Sequence, residues 1–231
     1  MTAARLRPRP WGRWWPVLLI GALVLAACSG GDDEELTVFA AASLRSVTAE
    51  LESAWLEEHP DTRLTVASEA SNVLAAQIAE GAPADVFLSA DTLRPDELAA
   101  QGLTAGEPLP FAHNRLALVV PAADAAVQTA TDLVRPGLRL VGVSQGAPIT
   151  RYTQQAIEVL ARSARDPAAF RAAVADNVVS REDNVRAALA KLELGEGDAA
   201  FVYVTDARTA EGVREVALPE DVEVTADYAV V

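Results

Sequence analysis

The chain has 231 residues, 51% of them hydrophobic, with 33 acidic against 19 basic side chains and a formal net charge of −14. That balance excludes a nucleic-acid partner, because a phosphate backbone rewards basic patches and none is visible. The single cysteine, Cys28, leaves no pair for a disulfide, so stability must come from one or two packed cores.

In chain order, Arg5, Arg7, Arg9 and Arg13 lead into an apolar run from Pro16 to Ala27, closed by Leu25-Ala26-Ala27-Cys28. Residues 1–27 read as a secretory signal ending in a lipobox, the apolar run being too short to span a bilayer comfortably. This N-terminus resembles those of bacterial lipoproteins, which implies a diacylglyceryl group on Cys28 and a lipid-anchored protein at the outer face of the cytoplasmic membrane or in the periplasm. Cleavage would leave 15 basic and 33 acidic residues, a net charge of −18. Residues 28–35, rich in Gly, Asp and Glu, read as an acidic, solvated tether.

Beyond the tether, β-rich runs at 36–40, 63–67, 86–89, 116–120, 139–143, 199–203 and 213–217 alternate with helical patterns at 44–59, 71–80, 147–163 and 184–194. The alternation predicts α/β architecture with mostly parallel sheets flanked by helices. Ser43, Ser71 and Asp183 stand where helix N-caps belong, and Gly81 and Gly195 where C-caps belong. In LTVFAAASL (36–44) and EGAPADVFLSAD (80–91), hydroxyls and free backbone N–H groups collect where strands run into helices, which suits an oxyanion.

These segments carry a family resemblance. LTVFAAASL, ASNVLAAQIAEGAPADVFLSAD, FAHNRLALVVP, PITRYTQQAIEVL, REDNVRAALAKLELGEGDAAFVYVTDA and the final Tyr-Ala-Val-Val follow one another as in the periplasmic molybdate-binding proteins of bacterial ABC transporters, which residues 36–231 resemble. The resemblance implies two lobes of periplasmic-binding-protein type with the ligand cleft between them, lobe 1 taking 36–115 and 207–231 and lobe 2 taking 116–206. It also implies a monomeric, extracytoplasmic binding protein, not an enzyme, that needs no cofactor and delivers molybdate or tungstate to an ABC permease in the membrane.

Carried over position by position, the resemblance implies five anion contacts. Ser43 and Ser71 would offer hydroxyl and backbone N–H, Tyr203 its phenolic hydroxyl, and Ile149 and Val185 their backbone N–H groups. The chain departs from the family at Pro148-Ile149-Thr150, where Pro-Ala-Gly is usual, and at Asn72, where serine is frequent. Ile149 can still donate its N–H, but its bulk could reshape the pocket. Family members also continue into a final helix on the first lobe, whereas this chain stops at Val231; exposed apolar surface on that lobe is the expectation.

The chemistry stands without the family. Inward-pointing N–H and O–H donors at helix N-termini can replace the hydration of a buried dianion with no lysine or arginine, and donors without acceptors disfavour a protonated oxyanion. Taken singly, Ser43 and Ser71 read as ordinary caps and Tyr203 as a core tyrosine; their occurrence together in matched segments favours the anion. Arg151 and Arg186 are expected to be solvated or paired with acids such as Glu182 or Asp183, and Asp85 and Asp91 to serve turns and caps. No cation-ligating metal site is expected, because His59 and His113 are far apart and Cys28 carries lipid. The same fold binding sulfate or another tetrahedral oxyanion is the alternative. A more distant one is a serine hydrolase using Gly142-Val143-Ser144-Gln145-Gly146, whose Ser144 has no histidine after it in the chain.

Overall fold

The computed structural model describes residues 34–123 and 126–231; the expected signal segment, Cys28 and tether residues 28–33 lie outside the described residues. The elements are β1 (Glu34–Ala41), α1 (Arg45–Glu58), β2 (Thr62–Glu69), α2 (Ser71–Ala79), β3 (Val86–Ser89), α3 (Leu93–Ala100) and β4 (Leu109–Pro121). They continue with β5 (Leu140–Val143), α4 (Pro148–Arg162), α5 (Pro167–Asp176), β6 (Val178–Glu182), α6 (Val185–Glu193), β7 (Ala199–Tyr203), α7 (Val204–Thr209), β8 (Val213–Val216) and β9 (Thr225–Val230). Short 3-10 turns at Ala42–Leu44 and Ala130–Val134 complete the set.

Two half-sheets share one strand. The order is β2-β1-β3-β9-β4-β7-β5-β6, with β8 also on β4. The outer ladders are parallel, β1 with β2 and β3 in one half and β5 with β6 and β7 in the other. The ladders around β4 and β9 are antiparallel. Strand β4 is long enough to serve both halves: Leu109–Arg115 pair with β9, and Leu116–Val119 pair with β7. Its second half is buried almost throughout, so it reads as a continuous apolar run. This is the two-lobe α/β architecture expected, with helices on the sheet faces, although the sheets are not mostly parallel as expected, because β4 and β9 join their neighbours in antiparallel ladders.

Some expectations need correction. β1 begins at Glu34, so the last two residues of the expected tether are strand, paired with Thr62 and Arg63. Strand β8 pairs with Leu118–Pro121, in the half expected to end at residue 206, so the chain rejoins the first half only with β9. Strands β6 and β9 and helices α3, α5 and α7 were not among the expected elements. Strand β6 alternates half-buried and exposed positions and contributes no fully buried side chain, and α7 is a single short helix of six residues, so neither imposes a strong hydrophobic period.

The glycine C-caps are as expected. Gly81 (φ 95°) and Gly195 (φ 73°) adopt the left-handed conformation. Each begins a Schellman closure, with Gly81 N–H donating to Ile78 O and Ala82 N–H to Gln77 O, and Gly195 N–H donating to Leu192 O and Glu196 N–H to Lys191 O. The core of the first half is small, built on Phe39, Leu74, Phe87 and Leu98. Helix α1 buries no residue, and its Val47, Leu51 and Leu56 are exposed, so apolar surface does lie open on the first half.

Candidate functional site

The site is assembled where strands of both halves end. Strand β1 delivers Ser43 in the Ala42–Leu44 turn, and β2 delivers Ser71 as the first residue of α2. Neither serine is an N-cap. Leu44 and Ala70 hold the cap positions of α1 and α2, and neither makes a side-chain cap. The Ser43 hydroxyl instead lies 2.8 Å from the Tyr228 hydroxyl, and Ser71 Oγ accepts the Ala90 N–H at 3.0 Å. Both serines are buried. Val73 and Leu74 donate to Ala70 O, which leaves the Ser71 N–H among the first-turn donors with no intrahelical acceptor.

The second half supplies the rest. In α4, Pro148 occupies the first turn without an N–H and Thr150 N–H bonds Ala147 O, so Ile149 carries the open donor. Helix α6 is capped by Asn184 and not by Asp183: Asn184 Oδ1 accepts the N–H groups of Arg186 and Ala187 at 3.1 Å each, because the helix starts one residue later than expected. That cap satisfies the second and third N–H groups and leaves the first, Val185, open. Tyr203 closes β7, and its buried hydroxyl has no hydrogen-bond partner among the described residues.

Ser43, Ser71, Ile149, Val185 and Tyr203 line one cavity of about 20 Å³, together with Asn184, Pro148 and five alanines. All five are at most 6% exposed. The volume is little more than one water-sized sphere, which suits a small inorganic ion. Among the described residues no charged side chain lines it. The N-termini of α2, α4 and α6 reach it, so open N–H groups and helix dipoles supply its positive potential. Burial first, and then neighbouring Tyr228 and Tyr152, pushes the Tyr203 phenol well above its ordinary range, so it remains a donor.

Charges surround the cavity at one remove. Arg151 pairs with Asp91 (3.4 Å) and Arg186 with Asp206 (3.3 Å), so both arginines are paired as expected but with acids other than Glu182 and Asp183. Glu182 instead takes Lys191 at 3.0 Å. Asp85 accepts the Thr37 N–H, and Asp91 accepts the Arg94 N–H at the start of α3. Contacts that cross between the halves include Asp91 with Arg151, Glu69 with Asn184 (2.9 Å), and Arg94 Nη2 donating to Gly146 O (3.2 Å). Asn72, the other departure from the family pattern, does not line the cavity.

Sequence reasoning missed Tyr228, Asn114 and Asn184. Tyr228 lies on β9, itself unexpected, and reaches Ser43 across 185 residues of chain. The first two could not be found by spacing; Asn184 could, as the residue directly before the helical run.

Ser144 follows β5 and precedes α4, the strand-turn-helix context of a nucleophile elbow. Its hydroxyl donates to the Asp183 carbonyl. Neither histidine approaches it in the observed bonding: His59 stacks on Trp55, and His113 bonds Asp227 at 2.6 Å. Among the described residues no group of three or more His, Cys, Asp or Glu could hold a metal ion, and no helix is long and apolar enough to cross a membrane.

The sequence profile of a family described as bacterial extracellular solute-binding protein matches residues 36–231. The molybdate-binding protein ModA of Mycobacterium tuberculosis (strain H37Rv) is 34% identical over 197 residues, 84% of this chain and 71% of that protein. ModA of Escherichia coli (strain K12) is 32% identical over 231 residues, covering 94% and 86%. Among solved structures, the Azotobacter vinelandii periplasmic molybdate-binding protein superposes with TM-score 0.70 at 21% identity, covering 85% of this chain and 84% of that one. The sulfate-binding protein SubI of Mycobacterium tuberculosis gives 0.70 at 18%, covering 86% and 75%. At those identities the two superpositions speak to the fold alone.

Proposed function

Because the chain belongs to the bacterial extracellular solute-binding proteins, a family of binding proteins and not of enzymes, we propose that it captures molybdate or tungstate outside the cytoplasmic membrane and delivers it to an ABC permease. The observation that carries this reading is the Tyr203 hydroxyl, buried and without a partner among the described residues, on a side chain that lines the same cavity as Ser43 and Ser71. A buried polar group without a partner costs about 1–3 kcal/mol, and an anion oxygen in the cavity removes that cost. Ser43, Ser71 and Tyr203 donate hydroxyls, Ile149 and Val185 donate backbone N–H groups, and together they replace the hydration of a tetrahedral dianion.

The lobes are residues 36–115 with β9, and residues 116–206 with β8. Ligand binds with the lobes apart and is enclosed as they close. The cross-cleft contacts Asp91–Arg151, Glu69–Asn184 and Arg94–Gly146 stabilise the closed state that the permease recognises. The protein acts as a monomer, released from its signal at residue 27 and held by lipid on Cys28. Cys28→Ser should yield a chain that is uncleaved or lost from the membrane fraction; an unmodified Cys28 in the mature wild-type protein, seen by mass spectrometry, refutes the anchor.

Sulfate is the second reading, favoured by the same donor set and the small cavity. Titration calorimetry of residues 29–231 with molybdate, tungstate, sulfate and phosphate separates the two. Tightest binding of molybdate or tungstate supports the proposal, tightest binding of sulfate replaces it, and binding of none overturns both.

A further inference from the structure

We propose that Tyr228 is a positioning residue: it fixes the direction in which the Ser43 hydroxyl points its proton, and thereby makes the cavity refuse anions that carry a proton. The inference rests on the oxyanion reading of the cavity and adds to it a residue that does not line the site.

The direction follows from a chain of hydrogen bonds. Arg115 N–H donates to Asn114 Oδ1 at 3.0 Å, and a backbone N–H can only donate, so the other end of the Asn114 amide is its NH₂. That NH₂ has two protons and two partners: Thr205 Oγ1 at 2.8 Å and the Tyr228 hydroxyl oxygen at 3.3 Å. The Tyr228 oxygen therefore accepts from Asn114. Were it to accept from Ser43 as well, its own buried proton would have no acceptor among the bonds of the described residues. Its proton goes to Ser43 Oγ, 2.8 Å away. Ser43 is then an acceptor on the protein side, and the only proton it holds is left for the cavity.

Ser71 is held in the same sense by a different group. Its Oγ accepts the Ala90 backbone N–H at 3.0 Å, so its proton also faces the cavity. A backbone donor cannot reverse; a hydroxyl such as Tyr228 can, and Asn114 is what prevents it. Burial first, partly offset by its bonds to Ser43 and Asn114, raises the Tyr228 phenol far above its ordinary range, so its proton is never lost at working pH. The aromatic ring is anchored edge-on against Tyr203 (centroids 5.8 Å) and Phe111 (6.1 Å), which holds the hydroxyl in place.

The consequence is chemical. Sulfate and hydrogen phosphate are dianions of similar size that differ by one proton, and hydrogen phosphate needs an acceptor for it. With the single proton of each serine directed at the cavity, a ligand that donates there leaves that serine proton without an acceptor. Removing the Tyr228 hydroxyl leaves the Ser43 hydroxyl free to rotate, so that a lone pair in place of its proton can face the ligand.

The test is competition of sulfate and of hydrogen phosphate against molybdate at neutral pH, with the parent, Tyr228→Phe and Asn114→Ala, each first shown by thermal melting to be folded. Tyr228→Phe should narrow the preference for sulfate over hydrogen phosphate about tenfold, the size of one hydrogen bond gained or lost, while molybdate weakens less than in Ser43→Ala. Asn114→Ala, which leaves every cavity residue in place, should shift the preference in the same direction by a smaller factor. Parallel weakening of all three anions, an unchanged preference in both variants, or a parent that binds molybdate yet does not prefer sulfate over hydrogen phosphate overturns the role of Tyr228. A parent that binds no anion overturns the function itself.

Discussion

Asn184 does two things at once: its Oδ1 caps α6, and its Nδ2 donates to the Glu69 carboxylate across the cleft at 2.9 Å. The residue that leaves the Val185 N–H open to the cavity is thus also one that ties the two halves together.

The two roles separate by substitution. Asn184→Ala removes both, so it should lower unfolding stability by about 1 kcal/mol, the usual worth of an N-cap, and also weaken molybdate binding. Asn184→Asp keeps the cap but sets a carboxylate against Glu69, so stability should hold while the ligand leaves faster. Urea unfolding and stopped-flow dissociation check the pair; dissociation rates equal to the parent's in both variants refute the cross-cleft role.

The cavity hydroxyls are the most direct test of the site. A hydrogen bond to a charged group contributes about 1.5–3 kcal/mol, so Ser43→Ala, Ser71→Ala and Tyr203→Phe should each weaken molybdate by about tenfold to a hundredfold. Ile149→Ala should leave affinity unchanged or improved, since only the backbone N–H is enlisted. If calorimetry finds all three hydroxyl variants as tight as the parent, Tyr203 is simply core and the serines serve structure.

Asp206 gives a pH signature. It is 1% exposed, one of its oxygens has no partner, and burial, opposed by the Arg186 charge and by hydrogen bonds to Arg186 and the Tyr203 backbone, pushes its carboxyl up to about 6. A carboxyl raised in the folded state binds a proton that the unfolded chain has already released, so its contribution is full below pH about 4 and is lost as pH rises through about 6. Two pH units correspond to about 2–3 kcal/mol. Relative to wild type, Asp206→Asn should therefore gain about that much between pH 4 and pH 7 in urea unfolding. A difference that stays constant with pH shows that Asp206 is ionised throughout.

Ser144→Ala should change neither anion binding nor any ester hydrolysis, because the Ser144 hydroxyl donates to a carbonyl and neither histidine is engaged with it. Labelling of Ser144 by a fluorophosphonate probe would restore the hydrolase reading.

Sequence alone determined most of the alternation of strands and helices, the glycine C-caps, and the gathering of hydroxyls and open N–H groups where strands run into helices; the five candidate contacts came from the family resemblance. These are local: a helix N-terminus leaves its first N–H groups open wherever it lies, and Pro148 at the start of α4 makes Ile149 the donor whatever surrounds it. Only the tertiary structure decided what the serine hydroxyls do. A serine before a helix reads as a cap, and it was the packing of β9 beside β4 that brought Tyr228 to Ser43, and the turn after β3 that brought the Ala90 N–H to Ser71. Strand β9 was hidden because its six residues combine with the long β4 only through antiparallel pairing across more than a hundred positions, a contact that leaves no short-range period. The pairing of Arg151 with Asp91 and of Arg186 with Asp206, in place of Glu182 and Asp183, has the same cause. Charge neutralisation is set by which side chains are buried together, and burial is decided by the whole fold.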